Sequence, residues 1–194
     1  MSDVRLTRYS HGAGCACKLS PVELATILDP IRGHPATKGD GLIVGLDVAD
    51  DSGVFSLGDG RALVQSVDIF TPVVDDPYDW GRIAATNALS DIYAMGARPI
   101  TALNYLAWPR DTLDFGLSTP VLQGGLDVMA DAGVVVIGGH SVDSPEPSFG
   151  FAVTGLADED ALVTLSGAQV DDALVLTTPI RIRVIAAAIK RALA

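Results

Sequence analysis

Short apolar runs ended by glycine, proline or aspartate alternate along this chain with segments of helical periodicity, which limits the fold to the α/β or α+β class. The runs predict strands over 42–44, 54–57, 62–67, 100–107, 134–137, 149–156 and 173–177. The sequence Ser20-Pro21-Val22-Glu23 is typical of a capping box and predicts a helix through Leu28. Further helices are predicted from Asp76-Pro77 to Gly96, from Thr119-Pro120 to Gly133, and over 182–194.

The charge and hydropathy of the chain limit the classes of partner that it can bind. Its 194 residues include 13 Lys and Arg against 24 Asp and Glu, a formal net charge of −11. Nucleic-acid binding needs clustered basic residues, so we expect no nucleic-acid partner. Hydrophobic residues make up 48% of the chain, but its apolar runs are too short to cross a bilayer and its first residues do not resemble an export signal. We therefore expect a soluble, cytoplasmic protein in a thiol-reducing compartment.

The length of the chain predicts one complete domain and a short remainder. We place the domain over residues 1–158. Residues 159–194 are too few to form a core of their own. They are expected either to pack on the first domain or to be the stub of a second, truncated one.

Four aspartates lie beside turns or near the ends of predicted elements. Asp50 and Asp51 precede a strand, Asp68 closes one, and Asp91 lies in a helix on the same side as Asn87. If these carboxylates met without a cation, their repulsion would raise their pKa values and destabilise the fold. Oxygen ligands of this kind suit Mg²⁺, which usually shares one or two carboxylates with substrate phosphates. The alternative is a solvated acidic surface.

A glycine pair follows the predicted strand 134–137. In Gly138-Gly139-His140-Ser141, backbone N–H groups could approach a phosphate without obstruction by side chains. The alternative is a simple turn at a strand end, with His140 as an ordinary polar side chain. Neither the P-loop pattern nor the Gly-x-Gly-x-x-Gly pattern occurs in the chain.

The only two cysteines of the chain, Cys15 and Cys17, lie in a glycine-rich segment beside Lys18, whose charge could favour a thiolate. One intervening residue departs from the usual spacing of zinc and redox pairs, and no further cysteine could complete a metal site. A nucleophilic or chalcogen-handling thiol and an inert one both stay open.

Several long motifs together are similar to those of the selenophosphate synthetases (selenide, water dikinases), of the aminoimidazole ribonucleotide synthetase-like ATP-binding superfamily. The motifs are YSHGAGCACK (9–18), DD (50–51), GRIAATNALSDIYAMG (81–96), GGHS (138–141) and PEP (145–147). The resemblance covers nearly the whole chain but only about the first half of the family's protein. It implies an α+β domain, with a mixed sheet packed by helices, that binds ATP and forms a homodimer through its sheet.

The resemblance further implies that ATP, selenide and water are converted to selenophosphate, AMP and orthophosphate, with Mg²⁺ and typically K⁺. In the family, the position of Cys15 carries the essential cysteine or selenocysteine, and Lys18 matches a lysine that interacts with the ATP phosphates. Asp51 and Asp91 match Mg²⁺ ligands. The positions that match nucleotide contacts are Asp50, Asp68, Asp91, Gly139, His140 and Ser141.

The chain also departs from the family pattern. A second domain with a further Mg²⁺-binding aspartate lies outside the resemblance. Val48 and Ala49 stand where a polar pair is expected, and Arg181 and Arg183 stand where glycines are usual. Two alternatives to the dikinase follow: a non-catalytic Mg-nucleotide-binding or dimerisation module, and a related synthetase that acts on another acceptor.

Overall fold

The computed structural model describes residues 4–12, 18–48 and 50–176, and within them six strands form a single mixed sheet. The strands are β1 (Leu42–Val44), β2 (Gly53–Ser56), β3 (Arg61–Phe70), β4 (Arg98–Trp108), β5 (Val135–Asp143) and β6 (Ser148–Asp158). Their order across the sheet is β1-β2-β3-β6-β4-β5. Neighbours are antiparallel, except that β4 and β5 are parallel. The predicted mixed sheet is confirmed.

The helices are α1 (Pro21–Leu28), α2 (Pro77–Ala94) and α3 (Ser118–Asp131), and the first two begin where local capping predicts. Helix α3 begins one residue before the predicted Thr119, and its N-cap, Leu117, makes no side-chain capping hydrogen bond. Before α1, Ser20 and Glu23 exchange both hydrogen bonds of the capping box. Before α2, the Asp76 carboxylate accepts the N–H of Asp79. Within the described residues, none of the helices combines the length and apolar character needed to span a membrane.

Helices α2 and α3 cover one face of the sheet and touch each other through glycines. A Cβ atom on Gly124 would collide with the carbonyl oxygen of Tyr78, so the two helix backbones lie in direct contact. Beneath them, Trp80, Phe149 and Phe151 are fully buried and meet edge to face, with ring centroids 6.2 Å and 5.1 Å apart. This core holds α2 firmly against β3 and β6.

The opposite face of the sheet carries exposed apolar side chains. Val67 on β3 and Leu103 on β4 lie in register on either side of Ala152 on β6, and they are 63% and 46% exposed. Phe55 on β2 is 47% exposed and pairs with Leu63 on the same face. Gln65 lies between Leu63 and Val67 on this face and donates a hydrogen bond to the Thr154 hydroxyl. Exposed apolar side chains gathered on one face of a sheet are typical of an interaction surface.

Residues 159–167, called the strap below, return from the end of β6 across the edge of the domain. Glu159 accepts a hydrogen bond from the Ser56 hydroxyl of β2. The N–H of Val163 donates to the carbonyl of Met95, directly after α2, at 3.1 Å. The boundary between residues 158 and 159 stays a prediction, but the strap is attached to the first domain.

The structure corrects three expectations about strands. Asp68 does not close its strand, because β3 continues to Phe70. Gly138-Gly139-His140-Ser141 is not a turn, because β5 continues through it to Asp143. Residues 173–176 are not in a strand and pair with none of the six strands described above. Thr177 and the helix predicted over 182–194 lie outside the described residues.

Candidate functional site

A buried carboxylate lies at the centre of the candidate site. Asp68 on β3 points towards the helices and is 2% exposed. One of its oxygens lies 2.7 Å from Nζ of Lys18. The other accepts a hydrogen bond from the side-chain amide of Asn87 on α2. Lys18 and Asp68 are thereby brought into contact although they lie 50 residues apart in the sequence.

Asp91 follows Asn87 by one helical turn and faces the same strand. Its carboxylate accepts a hydrogen bond of 2.7 Å from the Ser66 hydroxyl, two residues before Asp68 on β3. Burial raises the pKa of the Asp91 carboxyl above its ordinary value. The Ser66 hydrogen bond, the next largest influence, lowers the pKa of Asp91. The negative charges of Asp68 and Asp51 raise it further, and the positive charge of Lys18 lowers it. Burial of the carboxyl is therefore the largest cause of the raised pKa of Asp91.

The loop before β2 places Asp50 and Asp51 differently. The Asp51 side chain is exposed, and its charge is close enough to influence Asp91. The Asp50 carboxylate instead accepts two backbone N–H groups, those of Asp51 at 2.9 Å and Leu165 at 3.2 Å. Next in the chain, the Ser52 hydroxyl donates to the carbonyl of Asp91 at 3.2 Å, which ties the loop to α2.

Gly139, His140 and Ser141 lie further away, on the edge strand β5. Gly139 is in register with Asn104, Asn104 with Phe151, and Phe151 with Asp68, so all four share one row across the sheet. Three strand spacings separate Gly139 from Asp68, which is about 14 Å. Within one chain these residues therefore do not join the carboxylate cluster, although they lie at the same level of the sheet.

Cys15 and Cys17 lie outside the described residues, but both flanks of their segment are described. On one side, Nδ1 of His11 lies 2.8 Å from the Glu146 carboxylate in the loop between β5 and β6. On the other side, Lys18 contacts Asp68. The PEP motif at 145–147 thus contributes a contact to the thiol-bearing motif.

Sequence reasoning assigned no role to Ser52, Ser66 or Glu146. Ser66 could have been found from the period of two in β3, since it shares a face with Asp68. Asn87 was placed on the side of Asp91 by the helical period, but its bond to Asp68 required the packing of α2 on β3. Ser52 and Glu146 gave no such local signal, because their partners are distant in the chain.

The donor set suits a magnesium ion with substrate phosphates. Among the described residues, no group of three or more His, Cys, Asp and Glu side chains converges as a complete metal site. Asp51 and Asp91 supply two carboxylates, the number that Mg²⁺ usually takes from protein when phosphates and waters complete its shell. Burial, and after it the charges of Asp68 and Asp51, make the ionised form of Asp91 unfavourable and raise its pKa, and a divalent cation would offset both effects.

An open groove lies beside these residues, between α1, β1 and β2. Its volume is about 780 Å³, and its lining includes Asp50, Asp51 and Ser66 together with apolar residues of α1 and β1. The groove extends to Phe55 and Val67, so it borders the open face of the sheet. A groove of this size and mixed lining can accommodate a nucleotide-sized ligand.

The fold and these residues together define an α+β domain of the aminoimidazole ribonucleotide synthetase type. The family model for "AIR synthase related protein, N-terminal domain" matches residues 49–157, and the chain belongs to this family. A solved structure of AaThiL complexed with AMPPCP and TMP has a TM-score of 0.61 at 21% identity, covering 79% of this chain and 48% of that chain. This likeness confirms the predicted fold.

Several relatives with more similar sequences are selenide, water dikinases. A selenide, water dikinase of Aeromonas hydrophila subsp. hydrophila is 48% identical over 191 residues, which are 98% of this chain and 55% of that protein. One from Photobacterium profundum is 49% identical over 192 residues, with the same shares. The predicted resemblance is confirmed, and the chain spans about half the length of these relatives.

Proposed function

We propose that the chain is the ATP-binding part of a selenide, water dikinase, which forms selenophosphate, AMP and orthophosphate from ATP, selenide and water. The similarity to proteins of that name over 98% of the chain supports this function. The observation that carries the proposal is the contact of Lys18, from the cysteine motif, with Asp68 beside Asp91. It joins the thiol-bearing motif to the carboxylates in one place.

In this proposal the chain supplies positioning and charge. Lys18 passes from Asp68 to the nucleotide phosphates, or shares its N–H donors between them, while Asn87 keeps Asp68 oriented. Asp51 and Asp91 would hold Mg²⁺, and Ser66 fixes the orientation of the Asp91 carboxylate. When bound, the ion offsets phosphate charge, the main requirement of phosphoryl transfer. Cys15 would handle selenium, and K⁺ belongs to the same proposal through the family resemblance.

Asp50, Gly139, His140 and Ser141 are further proposed nucleotide-binding residues, and a homodimer is proposed as the working form. The exposed apolar face around Val67 and Leu103 supports dimerisation through the sheet. A cytoplasmic, reducing location would keep the thiols available.

The test is an anaerobic incubation of the chain with ATP, Mg²⁺, K⁺ and selenide, followed by phosphorus NMR. Selenophosphate and AMP in equal amounts are the expected products. They should disappear in Cys15→Ser and persist in Cys17→Ser, the matched control from the same segment. Product that survives Cys15→Ser would contradict the proposed role of that thiol.

The non-catalytic Mg-nucleotide-binding module is the second candidate. It is favoured by the site itself, since Lys18, Asp68 and Asp91 account for binding of a Mg-nucleotide but not by themselves for transfer of phosphate to selenide. Binding of Mg-AMPPNP without any product would support this module and contradict independent catalysis.

A further inference from the structure

The strap and the loop before β2 are joined by one side chain. Each oxygen of the Asp50 carboxylate accepts one backbone N–H, from Asp51 on one side and from Leu165 of the strap on the other. A carboxylate that accepts two N–H groups forms two charge-assisted hydrogen bonds, stronger than neutral ones. Asp50 therefore fastens two segments that are distant in the chain.

The strap also contacts the helix that carries Asp91. The N–H of Val163 donates to the Met95 carbonyl at the end of α2, one helical turn after Asp91. Gly96 follows with a φ of +73°, and a Cβ atom there would lie 2.9 Å from the Ala161 carbonyl oxygen. The strap thus lies directly on the end of α2, two residues before it reaches Asp50.

We propose that Asp50 is a positioning residue, which sets Asp51 relative to Asp91 by fastening the Asp51 loop to the strap. The inference rests on the proposed function, in which Asp51 and Asp91 act together on Mg-nucleotide. The strap is bound both to the end of α2 and to Asp50, so it fixes the distance between the loop and the helix together with the Ser52–Asp91 hydrogen bond. Asp50 acts on the ion through Asp51 and does not touch it.

Leu165→Pro is the sharpest test, because it removes the N–H that Asp50 binds and leaves Asp50 in place. Leu165 is the first residue of a short 3-10 helix, where proline is well accepted. The preceding Thr164 has φ −121° and ψ 156°, the extended conformation that precedes proline. The Leu165 side chain is 66% exposed, so little packing is lost. Leu165→Ala keeps the N–H and is the matched control.

The affinity of the full chain for Mg-AMPPNP and for metal-free AMPPNP would be measured by calorimetry. Leu165→Pro should weaken Mg-AMPPNP binding by about tenfold, the factor expected for one hydrogen bond to a charged group. Metal-free binding should be unchanged, which separates positioning of a metal ligand from a general structural effect. Leu165→Ala should match the wild type. Asp50→Asn, which replaces one carboxylate oxygen by an amide nitrogen, should also weaken Mg-AMPPNP binding. When it is added to Leu165→Pro, it should cause no further loss, because the Asp50–Leu165 hydrogen bond is already absent.

The outcomes separate this inference from the proposed function. If the wild type binds no Mg-AMPPNP, the proposed function fails and the inference fails with it. If the wild type, Leu165→Pro and Asp50→Asn bind it equally, the inference alone is wrong. Equal losses of Mg-AMPPNP and metal-free affinity would also overturn it. Should Leu165→Pro fail to fold, as judged by its thermal unfolding, Asp50→Asn is compared in the wild type and in an Asp51→Asn background. A residue that acts through Asp51 should have no further effect on Mg-AMPPNP binding once Asp51 is replaced, whereas an equal loss in both backgrounds would show a direct nucleotide contact and overturn the inference.

Discussion

The candidate site depends most on one ion pair, between the ammonium of Lys18 and the carboxylate of Asp68. Asp68 is almost completely buried, whereas the Lys18 side chain is 55% exposed. A buried carboxylate that loses its cation retains its desolvation cost, whereas an exposed cation is easily rehydrated. Lys18 can therefore exchange partners when a phosphate arrives, while Asp68 stays in place.

Lys18→Met should lower the free energy of unfolding by about 1–3 kcal/mol, since it leaves the buried Asp68 with one partner fewer. Urea denaturation of the chain would measure this. In an Asp68→Asn background the same substitution should cost much less, because no buried charge remains. Equal losses in the two backgrounds would show that the Lys18–Asp68 contact does not contribute.

Asp91→Asn should raise the Tm of the metal-free chain at neutral pH. The folded-state pKa of Asp91 is raised, so the ionised carboxylate destabilises the fold, and this cost is present above that pKa and fades as the pH falls towards the unfolded value. The gain in Tm should therefore shrink as the pH is lowered. Mg-nucleotide binding should be lost in the same variant, and a lower Tm at neutral pH would contradict the expected cost of the charge.

At the scale of elements, the site depends on how closely α2 lies against the sheet. The proposed ligands are spread over the loop before β2, strand β3 and helix α2, so a shift of α2 would separate them. Contact of α2 with α3 through Gly81 and Gly124 holds the helix in this position. The small residues are a requirement of packing, because glycine is otherwise unfavourable inside a helix.

Gly124→Ala should destabilise the chain by about 1–3 kcal/mol, even though alanine favours the helix by roughly 1 kcal/mol. The added Cβ atom would meet the Tyr78 carbonyl oxygen and force the helices apart. Thermal unfolding would measure the change. Gln123→Ala, at the exposed neighbouring position, is the control and should change stability by less than about 0.5 kcal/mol. A stabilised Gly124→Ala would show that the helices can separate without cost.

At the scale of the whole molecule, the sheet has one face under helices and one face open. The open face presents Phe55, Val67 and Leu103 to solvent. A second copy related by two-fold symmetry could cover it with the same surface, since such an interface is self-complementary. Dimerisation through the sheet, predicted from the resemblance, is therefore the proposal that this face supports.

Val67→Asp should abolish the dimer, because it would place one unpaired carboxylate from each copy inside the interface. We expect the dissociation constant to rise by at least about 100-fold, measured by sedimentation. Leu126→Asp is the control, since Leu126 is 43% exposed on α3, the helix that packs on the opposite face of the sheet against Phe149 and Phe151. An unchanged dimer in Val67→Asp, or an equal loss in both variants, would count against this interface.

Much of the fold could be predicted because its signals are local. The start of α1 depends on Ser20 and Glu23, and that of α2 on Asp76 and Pro77, all within one helical turn. The end of α2 depends on the left-handed conformation of Gly96, again a property of one residue. The sequence also assigned Lys18, Asp68 and Asp91 to one site. This assignment came from the family resemblance and not from any predicted distance between the three side chains.

The chemistry of the candidate site was determined by the sequence alone, since carboxylates, a lysine and two thiols are present whatever the fold. Only the tertiary structure decided where strands end and which side chains meet. Asp68 lies inside β3 and Gly139 inside β5 because each is paired with a neighbouring strand. Ser66 meets Asp91, and Asp50 meets Leu165, through the packing of distant segments. Such contacts form between residues far apart in the chain, so no local pattern of residues encodes them.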